Sequence, residues 1–173
     1  MTLTARLVLA DCRLALVHLE NEPDERNWRV HWVAAVTLLR TVGHVLDKVD
    51  GRANAQLRLT ARKLYEKGKT DPEHEIFREF IDNERNNVLK EYEFGVSEGP
   101  IEVLLSKETP AGPVPIHVVQ ISENIYRPMR DGVYAGEDGR TLIEYSIEWW
   151  ERQLNQLEQS LKANPSKADE VEN

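Results

Sequence analysis

The chain has 173 residues, 40% of them hydrophobic and 30% charged, with a net charge of −8. That length suits one helical domain with a proper core. The acidic balance argues against a surface given over to DNA or to an anionic membrane, while leaving room for a local basic patch.

Residues 3–20 carry Leu3, Leu7, Ala10, Leu14 and Val17 at helical spacing, which predicts one buried stripe. The lone cysteine, Cys12, falls in this segment and reads as a small buried hydrophobe. The N-terminus lacks the order of a signal peptide, and no apolar run approaches a membrane span, so a cytoplasmic, reducing setting is expected. Pro23 breaks the chain before a stronger helix over 26–49. Trp28, Trp32, Ala35, Leu39, Val42 and Leu46 make its apolar face, widened by Val36 and by Gly43, whose expected use is close approach of another helix. Arg40, His44 and Asp47 fall together beside that face. Asp50-Gly51 is the turn signal that should end it.

A shorter helix over 53–67 turns Leu57, Ala61 and Leu64 to one side and carries Arg58, Arg62, Lys63 and Lys67. This basic segment is either a solvated outer face or an edge that contacts phosphate. Gly68 is expected to stop it, and Asp71-Pro72 to start the next helix as N-cap and first residue. Residues 77–94 then read as one amphipathic helix with Phe77, Ile81, Val88 and Tyr92 in a narrow sector. Between residues 95 and 140, two β-type runs flank a proline-rich stretch, which predicts an antiparallel hairpin or three-stranded flap over about 99–138. Such a hairpin is marginal in water and needs the helices or a partner chain to pack on. The last helix, 141–161, has a stripe of Ile143, Ile147, Trp150, Leu154, Leu157 and Leu161, with Leu142 and Trp149 on a second side that suggests contact with another subunit. Glu148, Glu151 and Glu158 read as its solvated face. The expectation is a mainly α single domain over 1–162, a bundle of about five helices with a small β insertion, and a polar, disordered tail over 163–173.

Glu84 and Arg85 sit inside the apolar sector of the 77–94 helix, where charges need partners. Arg40, His44 and Asp47 are the natural candidates, so the polar cluster is Arg40, His44, Asp47, Glu84, Arg85 and Tyr92. Two readings stay open. One is an interhelical salt-bridge network, Glu84 with Arg40 and Arg85 with Asp47, that fixes helix register. The other is a cleft for a phosphate-bearing ligand or RNA, with arginines as anion clamps and His44 as the titratable group.

The run Arg85-Asn86-Asn87-Val88-Leu89-Lys90-Glu91-Tyr92, on a long helix of an all-helical bundle, resembles the signature of the HEPN superfamily. Those domains are four- or five-helix bundles, many of them dimers. Active members use an Arg and a His five positions on as a metal-independent ribonuclease site, often in toxin–antitoxin or defence systems. Arg85, Asn86 and Tyr92 match by type and spacing, but Lys90 stands at the histidine position. Lysine titrates about four units above histidine and makes a poor base at neutral pH. On a regular helix Arg85 and Lys90 also lie about 140° apart.

The resemblance therefore implies a homodimeric binding or regulatory module for RNA or nucleotide with a degenerate motif. An active ribonuclease using Arg85 and His44 is the alternative, and a structural protein-interaction domain is a third. No cofactor is implied. Phosphate-loop glycines, a cysteine pair and a two-histidine metal spacing are all missing from the sequence.

Overall fold

The structure is a computed structural model that describes residues 3–97, 101–121 and 126–163. The tail expected over 163–173 lies, from residue 164 on, outside the described residues. The fold is mainly helical, with five long helices and a two-stranded antiparallel sheet before the last. The helices are α1 (Thr4–Asn21), α2 (Glu25–Val45), the single turn α3 (Gly51–Ala53), α4 (Ala55–Thr70), α5 (Asn83–Glu91) and α6 (Gly139–Ala163). The strands are β1 (Ile101–Thr109) and β2 (Gly112–Ile121). None of the described helices is long and apolar enough to cross a membrane.

α2 begins on Asp24, whose carboxylate accepts the Asn27 N–H at 2.9 Å. Its buried face is the predicted one, Trp28 through Leu46. Gly43 lets the Trp150 ring of α6 come so close that a Cβ would stand 2.9 Å from Cη2. On α1 the buried stripe is not the predicted one. Ala5, Leu9, Cys12, Ala15 and Leu19 face the core with Leu3, whereas Leu7, Leu14 and Val17 are exposed. Both sets have helical spacing. The small residues on the buried side leave room for the α2 indoles, and Trp28 donates its Nε1–H to the Leu19 carbonyl. Burial pushes the Cys12 thiol up to about 12, which makes it inert.

Two π-helical turns change how the helices meet. The first, Leu46–Asp50, continues α2 in place of the expected end. It delivers buried Asp50 to the start of α1, where its carboxylate accepts the N–H groups of Thr4 (2.8 Å) and Ala5 (2.9 Å). α1 has no side-chain cap of its own, so Asp50 supplies one from the far end of α2. The second, Phe77–Asp82, precedes α5. Gly68 does not stop α4, which runs on to Thr70. Asp71 does cap the next segment, by accepting the Glu73 N–H at 3.0 Å. α5 ends at Tyr92, which adopts a left-handed backbone (φ 55°).

Along α6, Leu142 and Trp149 are buried together with the main stripe, so the expected second contact side is part of the same core. Glu151 and Glu158 are not simply solvated either. Arg6 reaches Glu151 at 2.5 Å and Glu158 at 3.0 Å, and Arg13 reaches Glu151 at 2.5 Å, which ties α1 to α6.

The insertion returns to the bundle through residues 126–138. Val96 bridges Met129, and buried Arg127 pairs with Glu25 at 2.6 Å while lying over the Trp28 ring. No third strand forms at residues 132–135; that segment makes only isolated bridges.

Candidate ligand cleft

A cleft of about 590 Å³ opens between α2, α4 and α6. Its lower wall is aromatic and apolar: Tyr65 and Leu64 of α4, Phe77 of the second π turn, and Trp149 and Trp150 of α6. The rings pack edge and face, with Phe77 stacked on Trp149 and edge-on to Tyr65 and Trp150. The Trp150 indole N–H is buried and has no acceptor among the described residues. The rim is polar. Arg40, His44, Asp47 and Lys48 come from the end of α2 and its π turn, and Arg62 from the basic helix α4.

Arg40 is 9% exposed. Its Nε–H donates to the Asp82 carboxylate at 2.8 Å, and its guanidinium lies 5.1 Å from the Tyr65 ring centroid and 5.5 Å from that of Phe77. Planar charge on aromatic faces suits a partly dry site. Asp47 gathers Lys48 (2.9 Å), Arg62 (3.4 Å) and Arg58 (3.7 Å), and the Lys48 hydrogen bond, ahead of the other cations, holds its carboxyl below the usual range. His44 is exposed on the rim. Partial burial and then the positive charges of Arg40, Arg85 and Lys48 lower its pKa, so it is neutral at pH 7. A neutral imidazole beside guanidinium groups can accept a proton from a hydroxyl or donate one N–H to an anion.

The remaining predicted residues lie elsewhere. Glu84 does not meet Arg40. It is 3% exposed and its carboxylate accepts the Trp32 Nε1–H at 2.9 Å and the Gly95 N–H at 3.0 and 3.2 Å. Glycine at 95 allows this close contact: a Cβ there would stand 2.4 Å from the Glu84 carboxylate, which would have to shift. Burial raises the Glu84 pKa, opposed by the two N–H donors. Arg85 does not pair with Asp47; it donates to the neighbouring Asn86 side chain at 2.8 Å. Lys90 is exposed, and Tyr92, expected in the apolar sector, is 62% exposed beyond the end of α5. The structure thus gathers Arg40, His44 and Asp47 at one cleft, with Arg85 close enough to act on His44 by charge. Glu84 is not among the residues that line that cleft.

Asp82 and the aromatic wall are the parts that sequence spacing did not pick out. An extra residue in the π turn rotates everything after it by about 100° relative to a regular helix. In the structure Asp82, not Glu84, faces Arg40. The adjacent Trp149-Trp150 pair stands out in the sequence, where core packing is the better reading of it. The described residues contain no group of three potential metal ligands. Comparison of the chain with protein-family models, with curated proteins and with solved structures finds no match in any of the three.

Proposed function

We propose that the protein is a HEPN-like helical binding module that takes a nucleotide, or the end of an RNA strand, in the cleft between α2, α4 and α6. The observation that carries this reading is the pairing of an aromatic wall (Tyr65, Phe77, Trp149, Trp150) with a cationic rim (Arg40, Lys48, Arg62). A nucleobase has an apolar face to lay on such rings, and its phosphate has charge for the guanidinium groups. A volume near 590 Å³ lies in the usual range for a small-ligand site. Arg62 and Lys48 both pair with Asp47 at the rim, so a phosphate there would compete with this carboxylate for them. Lys90 and Tyr92, although part of the HEPN-type motif, play no part in this site. The buried Cys12 suits a reducing, cytoplasmic setting.

Tryptophan fluorescence and calorimetry, with a nucleoside monophosphate and a short single-stranded RNA in the presence of chelator, test the proposal. Saturable binding is expected. Arg62→Ala with Lys48→Ala should weaken it at least tenfold, and Lys90→Ala should leave it unchanged. Absence of binding, or binding indifferent to Arg62 and Lys48, overturns it.

The neutral His44, under the influence of Arg40 and Arg85, favours a second reading as a metal-independent ribonuclease with His44 as base. That reading requires RNA cleavage in chelator that His44→Ala and Arg85→Ala both abolish; intact RNA ends it.

A further inference from the structure

Over residues 102–120 the hairpin β1–β2 is exposed on both faces, and none of these described side chains belongs to the buried core. Leu104 (59% exposed), Leu105, Val114, Ile116, Val118 and Val119 all show substantial apolar surface. A two-stranded hairpin of this kind is marginal in water by itself.

Its two edges are not equivalent. Glu108 pairs with Pro113 and Ser106 with Pro115. A proline has no N–H to exchange, so these must be the non-bonded pairs of the ladder, and the backbone of Lys107 and Thr109 points toward β2. The irregularity between Leu105 and Ser106 places the extra residue, Ile116, on β2, so alternation along β1 is unbroken. The free edge of β1 is therefore formed by the N–H and C=O groups of Glu102, Leu104, Ser106 and Glu108. The matching edge of β2 lacks donors at Pro113 and Pro115. One edge is blocked against strand addition and the other is open.

We infer that the open edge of β1 pairs antiparallel with β1 of a second copy, giving a four-stranded sheet across a two-fold axis at Leu104. The two-fold restricts the register to pairings that set outward residues opposite outward residues. Centring on Leu105 sets Glu102 against Glu108 twice, which is repulsive. Centring on Ser106 sets Leu104 against Glu108. Centring on Leu104 sets Leu104 against itself, Val103 against Leu105, Glu102 against Ser106 and Ile101 against Lys107, so the centre of the pairing is apolar and no like charges stand opposite. In this register residues 101–107 of β1, seven per copy, pair across the axis.

The test is mass in solution together with two substitutions. Light scattering should give twice the chain mass at micromolar concentration. Ser106→Pro removes a donor from the open edge while leaving the ladder to β2 intact, so it should give a monomer with an unchanged melting temperature. Leu104→Cys should form an interchain disulfide with oxidised glutathione, because the axis brings the two Cα atoms to about 5.5 Å. Leu105→Cys should not, since its partner is Val103, and Cys12 is buried and silent. A monomeric wild type overturns the inference. So does a dimer that survives Ser106→Pro and is lost in Leu14→Arg, which would place the contact on the exposed stripe of α1.

Discussion

Arg40 and Asp82 join α2 to the π turn before α5 through one hydrogen bond of 2.8 Å, and the Tyr65 and Phe77 rings flank the same guanidinium. Arg40, Tyr65 and Phe77 all line the cleft. The Arg40 side chain is well buried and Asp82 about a third exposed, so the pair is a partly desolvated one, worth more than a surface ion pair. A double-mutant cycle on urea unfolding of Arg40→Ala and Asp82→Ala should show a coupling of about 1 kcal/mol. The same cycle between Arg40 and Glu84 should show none, because those residues do not touch. A coupling at Glu84 equal to that at Asp82 would contradict the geometry.

Glu84 links the Trp32 indole to the backbone of Gly95 and so pins the chain where it leaves α5 for the insertion. Glu84→Ala strands both donors and should cost about 2–4 kcal/mol. Its pH dependence has a definite sign. Burial raises the folded pKa above the unfolded one, so the folded state holds the proton more firmly. The stabilisation is complete below the unfolded pKa, roughly pH 4, and is lost as pH rises through the folded value. The stability difference between wild type and Glu84→Gln should therefore fall over that window and then level off. A difference that grows with pH would mean that the N–H donors outweigh burial.

Much of this architecture can be read in the sequence because the signals are regular. Trp28 to Leu46 keeps one period over five turns, and its buried face follows that period residue by residue. Asp71 announces a helix start by chemistry alone, and the proline-rich stretch rules out helix where the hairpin lies. What failed, failed for identifiable reasons. On α1 two stripes share the same spacing, and only the bulk of the α2 indoles selects the one with Ala5, Cys12 and Ala15. At the cleft the wheel assumed 100° per residue, and a π turn breaks that assumption just before Glu84. Nothing in FREFID marks the turn. With it, Asp82 faces Arg40 while Glu84 faces Trp32 and Gly95, which is a property of the folded contacts.

Gly43 sets the depth of the cleft. A methyl group there would meet Cη2 of Trp150 at 2.9 Å and Cζ2 at 3.3 Å, atoms of a rigid ring packed on Phe77 and Trp149. Alanine gains about 1 kcal/mol in helix propensity, but overpacking typically costs 1–3 kcal/mol. Gly43→Ala should come out neutral to about 2 kcal/mol destabilising, with a changed Trp150 emission. The informative measurement is nucleotide binding, which should weaken more than stability does, because the ring moves into the ligand's space. Unchanged affinity would mean that the ligand does not reach Trp150.

His44 reports on the charge of the rim. Partial burial, followed by Arg40, Arg85 and Lys48, lowers its pKa below the ordinary value of about 6.5. The unfolded chain then binds the proton more readily than the folded one. His44 therefore favours the folded state above about pH 6.5, and that contribution is lost as pH falls through the lowered value. The imidazole resonances, followed by NMR, should titrate below 6.5 in the free protein. Arg85→Ala removes one positive charge and should raise the midpoint. A bound phosphate should raise it further, since an anion at the rim stabilises the imidazolium. Asp47→Asn removes the carboxylate that competes for Arg62 and Lys48, so it should tighten nucleotide binding severalfold while leaving the order of these midpoints unchanged. If nucleotide binds but leaves the His44 midpoint where it was, its phosphate is not at this rim. If Asp47→Asn loosens binding instead, the role of Asp47 is to hold the two cations in place, and competition with the ligand is the lesser effect.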